Sequence, residues 1–288
     1  MRKAAPIRLV GALALAAGTP LGLLPSRHNT AARHGPVGTN VLAAPASSLA
    51  PPGPLARAST CRSHHGQWSC TSPCEGRHLR PARARARCLA LAIGALEAGR
   101  RAEELPQLAL PDDYGRLSTP ERLFVLVNLE RIARDVPPLV GLSAALDTVA
   151  QVAAATRRDP TPAATDAALP ALSMGAAWAG GQANAAAAVF AWIYADGWAG
   201  HATTNVDCGA PAAPGCWEHR RILLGQATGS TCQSCVAGSA ATVTTVGRAE
   251  RSYAFVIDHP RVRPRLTFTW NRDVLPHLSA RAEQILAH

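Results

Sequence analysis

Residues 128–154 read "NLERIARDVPPLVGLSAALDTVAQVAA". Two helices joined by a short proline loop account for this pattern. The first helix opens upstream at "STPE", residues 118–121. Ser118 or Thr119 can cap it, Pro120 suits the first turn, and Glu121 can complete a capping box. "RLFVLVNLERIAR" is apolar almost all round, which places this helix at the centre of a core. "DVPPLVGL" ends it. "SAALDTVAQVAAA" forms the next helix, capped by Ser143, with Leu146, Ala150 and Ala153 in helical register.

Upstream, residues 86–103 predict a helix with Leu89, Leu91, Ile93, Leu96 and Ala98 on its apolar side. Downstream, residues 157–175 read as an irregular Pro/Ala/Asp connection. "NAAAAVFAWIYADG", residues 184–197, predicts a helix ending before Gly197. Residues 198–216 are again irregular. After "WEHRRILLG" the pattern changes. "SCVAGSAATVTTVG", "RSYAFVIDH" and "RLTFTWNRD" carry the β-branched and aromatic residues of strands. A last helix is expected over 274–287. Helices first and short strands late predict an α/β fold, a mixed sheet covered by helices on both faces.

The chain has 288 residues and a formal net charge of +10. Residues 1–101 hold 14 basic and 2 acidic residues, and residues 102–288 hold 15 and 17. The basic character therefore belongs to the N-terminal third, and the sequence does not read as a nucleic-acid binder. Lys3 is the one lysine beside 28 arginines, a bias that suggests a GC-rich bacterial genome. "MRKAAPIR" followed by the apolar "LVGALALAAGTPLGLL", residues 9–24, has the form of an export signal. That run is short for a membrane span. Residues 1–26 are expected to be a signal peptide or N-terminal anchor that engages the membrane during export. Residues 27–75 follow as a Pro/Ala-rich linker with cysteines, and residues 76–288 as the folded domain. The protein is expected to be secreted or associated with the cell envelope.

Eight cysteines in an exported chain favour disulfides. Cys61, Cys70, Cys74 and Cys88 lie early, and their partners cannot be read from spacing. Cys208, Cys216, Cys232 and Cys235 lie late and are expected to be bonded. A Cys208–Cys216 bridge would fix the approach to His219. The early group, with His64, His65 and His78, is read as disulfides rather than zinc. The run "RHLRPARARAR" reads as a solvated basic face, with contact to a polyanion as the rival.

Three motifs carry a family resemblance. Asn128, Arg131, Pro138-Leu139, Leu142, Leu146, Ala150 and Ala153 form the first. "GAAWAGG", residues 175–181, followed by Trp192, forms the second. "HRRILL", with His219 and Arg220, forms the third. In this order they resemble the CAP superfamily, the cysteine-rich secretory, antigen 5 and pathogenesis-related 1 group, in its bacterial extracellular branch. The resemblance covers about residues 115–271. It implies a three-layer α-β-α sandwich of CAP type, here with an extra N-terminal helix over 86–103.

Many members of that family bind a divalent metal through two His and two acidic residues. His219 matches one of those positions. Ala176 and Ala177 stand where the family has Glu and Asn, and "AAATRRDPTPAATD" lacks the second His. The resemblance thus implies a degenerate tetrad, with no metal and no cofactor. His219, Glu218, Trp217, Arg220, Trp178 and Trp192 are the cleft-lining candidates. His219 has a second reading as a half-buried packing residue, and the tryptophans a reading as core. Ser143 reads as a cap rather than a nucleophile, and oxidised cysteines supply no thiolate. The function expected is a binding module for an envelope lipid, glycan or protein. The alternative is a metal-assisted hydrolase centred on His219, Glu218 and His201, with Asp207.

Overall fold

The structure is a computed structural model that describes residues 60–64, 67–71, 74, 82–195, 218–225, 232–244 and 250–278. The ordered elements begin with β1 (Thr60–His64) and β2 (Gln67–Thr71), which pair antiparallel. Then follow α1 (Ala82–Ala102), α2 (Thr119–Ile132), β3 (Gly141–Ser143), α3 (Ala144–Thr156) and α4 (Pro162–Ala168). The second half holds β4 (Ala171–Gly180), α5 (Ala185–Phe190), α6 (Glu218–Leu223), β5 (Val236–Thr244), β6 (Glu250–Pro260) and β7 (Leu266–Thr269). A five-stranded sheet has the order β4-β6-β5-β3-β7. It is mixed, because β3 runs parallel to β5 and every other pair is antiparallel.

α2 forms as its sequence dictates. The Ser118 hydroxyl accepts from the Glu121 N–H, and the Glu121 carboxylate accepts from the Ser118 N–H at 2.6 Å. Leu123 to Leu129 are all buried, as an all-round apolar helix requires. Asp135, at φ 57°, and the two prolines after it stop the helix. The Asn128 side chain then holds the loop. Its amide donates to the Leu139 carbonyl at 3.1 Å, and its oxygen accepts from the Leu139 N–H at 2.8 Å.

Strand side chains alternate between two packed faces. Tyr253, Phe255 and Ile257 of β6 join α1, α2 and α5 in one cluster. Ala254 and Val256 join Leu146, Val149, Ala150 and Ala153 of α3 in the other. α3 lies almost against the backbone of β5. A side chain at Gly238 would collide with Leu146, so only glycine fits there. The result is a mixed sheet packed against helices.

Several expectations are corrected. Residues 157–175 are not irregular: α4 and the start of β4 occupy them. Strands therefore do not wait for the late half of the chain. Ser143 makes no side-chain cap bond; it is the last residue of β3, its side chain buried in the sheet. Leu96 and Ala98 of the expected apolar side are buried, but Leu91 is 43% exposed, and α1 turns Cys88, Ala92 and Ala95 inward as well. The helix over 184–197 is α5 followed by a π-helical turn, Ala191–Ala195. A π-helical turn (Trp270–Val274) and a 3-10 turn (Leu275–His277) stand where the last helix was expected to start, and the rest of that expected helix, 279–287, lies outside the described residues. Cys74 and Cys88 form one disulfide pair, and Cys232 and Cys235 another. Among the described residues, no helix is long and apolar enough to cross a membrane.

Candidate functional site

α6 carries the histidine that the sequence singles out. Its side chain is half-buried, with Nε2 3.4 Å from Asp159 Oδ1, a carboxylate in the turn after α3. Glu218 opens α6, and its side chain is outside the described residues, as are Trp217, His201, Asp207, Cys208 and Cys216. Among the described residues no three His, Cys, Asp or Glu side chains converge as a metal cluster.

Arg220 turns inward. Its guanidinium grips both oxygens of Glu103 at 2.6 Å and donates to the Ile193 carbonyl at 3.2 Å. Glu103 also pairs with Arg134 at 2.9 Å, and Arg134 with Glu130 at 2.7 Å. Glu130 is fully buried and is closed by Arg100 at 3.1 Å and by the Tyr194 hydroxyl, which donates at 2.8 Å. Burial alone would raise the pKa of either carboxyl. The Arg134 and Arg100 charges beside Glu130, and the Arg220 and Arg134 contacts to Glu103, outweigh burial and hold both below the usual carboxylate value. Five charged groups are thus locked inside the fold. The Tyr194 ring lies so close to α1 that residue 99 can only be glycine.

The other candidate residues are also built into the packing. Trp192 is 1% exposed, tilted against Phe255. The Trp178 indole N–H donates to the Ser252 hydroxyl at 2.6 Å, and its ring packs beside the α3 cluster. Arg131 donates to the Pro137 carbonyl at 2.9 Å and the Leu223 carbonyl at 2.7 Å. Among the described residues no carboxylate pairs with it, and burial lowers its pKa to about 10.

Among the described residues, a cavity lies elsewhere. It has a volume of about 280 Å³ and opens between α1, the loop before α2, the start of α5 and β6. Arg85, Arg122 and Arg251 line it, together with Tyr114, Tyr253 and Asn184. Ala86, Leu89, Ala183 and Ala185 supply its apolar side. Arg122 is positioned by the Tyr114 carbonyl at 3.2 Å and the Gly115 carbonyl at 2.7 Å, and it stacks over the Tyr114 ring at 5.8 Å. Tyr114 is 5% exposed, and its hydroxyl has no partner among the described residues. The same holds for the Asn184 amide nitrogen, whose oxygen caps α5 through the Ala187 N–H at 3.0 Å. Burial pushes the Tyr114 hydroxyl far above its ordinary pKa, so it stays a donor. Tyr253 is raised too, by burial that outweighs the neighbouring Arg251.

Sequence reasoning met only Arg85 of this set, inside the run read as a solvated basic face. Tyr114, Arg122, Asn184, Arg251 and Tyr253 carry no motif, and the fold alone brings them together. Compared with family models, curated proteins and solved structures, the chain matches none.

Proposed function

We propose that this chain is an exported, disulfide-stapled module of CAP type that holds a ligand rather than turning one over. In this reading the sheet and its helices make the three-layer α-β-α sandwich, and α1 is the added N-terminal helix. The ligand is a lipid, glycan or protein of the envelope or the extracellular space. One observation carries the reading. The three segments that resemble the family are tied directly to each other. Arg131 of the first reaches the Leu223 carbonyl in the third at 2.7 Å, and Arg220 of the third reaches the Ile193 carbonyl beside Trp192 at 3.2 Å. The motif arginines thus hold backbone carbonyls, which is the work of a frame and leaves them no part in chemistry.

The His219–Asp159 contact at 3.4 Å favours the second reading, a metal-assisted hydrolase, because a carboxylate that orients imidazole is a common metal-site feature. Metal analysis of the purified protein, with ester and peptide hydrolysis assays, separates the two. The module reading expects no stoichiometric zinc and no turnover. Zinc and hydrolysis that both disappear in His219→Ala would overturn it.

A further inference from the structure

We infer that the cavity lined by Arg85, Arg122 and Arg251 is a binding site for a small phosphomonoester, its phosphate held by the arginines and its short organic part against Leu89. This deepens the binding-module reading and rests on it.

Charge is the first argument. Among the described residues, none of the three arginines pairs with a carboxylate, whereas other arginines of the chain do. The acids next to them in sequence are engaged elsewhere: Glu121 accepts from the Ser118 N–H at 2.6 Å, and Glu250 pairs with Arg157 at 2.7 Å. Three guanidiniums that line one cavity without a carboxylate among the described residues repel each other, and an anion between them relieves that repulsion. A dianion neutralises most of the charge.

Donor count is the second argument. Three arginines line the cavity, and of these Arg122 already donates to the Tyr114 and Gly115 carbonyls. A guanidinium carries five N–H donors and no acceptor, so a cavity lined by three of them suits an acceptor-rich occupant. A carboxylate offers only about four acceptor positions. A phosphate presents three strong acceptor oxygens, each able to take more than one donor, and matches the guanidinium fork. Size is the third argument. A volume of about 280 Å³ is small for an organic ligand and excludes a polymer from the interior. Arg85 is exposed at the mouth, while Arg122 and Arg251 are half-buried.

Calorimetric titration of the purified protein tests this with inorganic phosphate, phenyl phosphate and benzoate. Phenyl phosphate is expected to bind more tightly than phosphate, and benzoate weakly. Arg85→Gln and Arg251→Gln should each weaken phenyl phosphate by at least about tenfold. Arg83→Gln removes the same charge from an exposed position of α1 outside the cavity and should leave the affinity within about twofold. Circular dichroism confirms folding of each variant, and exposed Arg85 carries the test if Arg251→Gln fails to fold. Vesicles bearing phosphatidic acid, run beside phenyl phosphate, tell a lipid headgroup from a soluble ester. Absence of phosphate and phenyl phosphate binding, equal losses in Arg83→Gln and Arg85→Gln, or preference for benzoate would each overturn the assignment. None of these outcomes bears on the zinc and hydrolysis test of the module reading, so the two fail separately.

Discussion

Two groups of arginines sit on the same helical side of the sheet, and they differ in what faces them. Arg100, Arg134 and Arg220 stand against Glu103 and Glu130, with every carboxylate oxygen engaged. Arg85, Arg122 and Arg251 stand against a cavity. The first group is largely self-sufficient: two carboxylates offset two of its three positive charges within the chain, and removing one member strands the others. The second is incomplete without an anion from outside. The same residue type therefore serves the frame in one place and a ligand in the other, and the carboxylates decide which. Charge lost from the first group should cost stability; charge lost from the second should cost binding.

The largest effect is expected in the paired group. Glu130→Gln removes the buried charge shared by Arg100, Arg134 and the Tyr194 hydroxyl, and should cost about 3–5 kcal/mol in urea unfolding. A loss no larger than that of a surface substitution would erase the distinction between the groups. The next largest effect sharpens the cavity side. Cys74 and Cys88 tie the chain before α1 to that helix one turn beyond Arg85. Replacing both with Ser should cost about 3 kcal/mol in the chain-entropy model and weaken anion binding, while Glu130 stays buried. Unfolding and titration on the same sample check both.

Acid response separates a satisfied carboxylate from a bare one. Glu103 and Glu130 have pKa values lowered by their arginines. Their stabilisation is complete above the unfolded carboxylate pKa and is lost as pH falls through the lowered folded values. Asp258, on β6, is buried with no partner for either oxygen among the described residues. Burial first, and the Asp166 charge second, raise its pKa to about 6. The sign is opposite: the folded state keeps a proton the unfolded chain has lost, so stability falls as pH rises from about 4 through about 6. Asp258→Asn should remove that loss and gain about 2 kcal/mol at pH 7 relative to pH 4. Unfolding curves at several pH values measure it. A smaller effect belongs to His219, half-buried and near Asp159. His219→Ala should cost on the order of 1 kcal/mol, read by urea unfolding, because it loses packing and polar contacts, the one to Asp159 among them.

How far the sequence reveals the fold follows from how local each cause is. The capping box at Ser118 and the run Leu123–Leu129 announce α2, because cap and core face lie within its own residues. β5, β6 and β7 are legible from β-branched and aromatic content. β4 is not: Ala176, Ala177 and Ala179 give a strand no period, and it forms because β6 pairs along its length. β3 has three residues, too few for any pattern, and it captures Ser143, whose local role would be a cap. Arg131, Arg220 and Trp192 stand out in the sequence, yet the contacts they make exist only in three dimensions. Glu103 and Arg220 lie 117 positions apart. The cavity is the least legible part, since Tyr114, Arg122, Asn184 and Arg251 meet only after the fold is complete.

The most direct measurement is urea unfolding of wild type and Arg251→Gln, each with and without phosphate. Without phosphate, Arg251→Gln is predicted to be as stable as wild type or slightly more so, because it relieves repulsion and breaks no ion pair. With phosphate at about ten times its Kd, wild type should gain about 1.4 kcal/mol and Arg251→Gln almost nothing. If Arg251→Gln loses stability without phosphate as a member of the paired group would, or gains as much from phosphate as wild type, the division between frame and ligand arginines is contradicted.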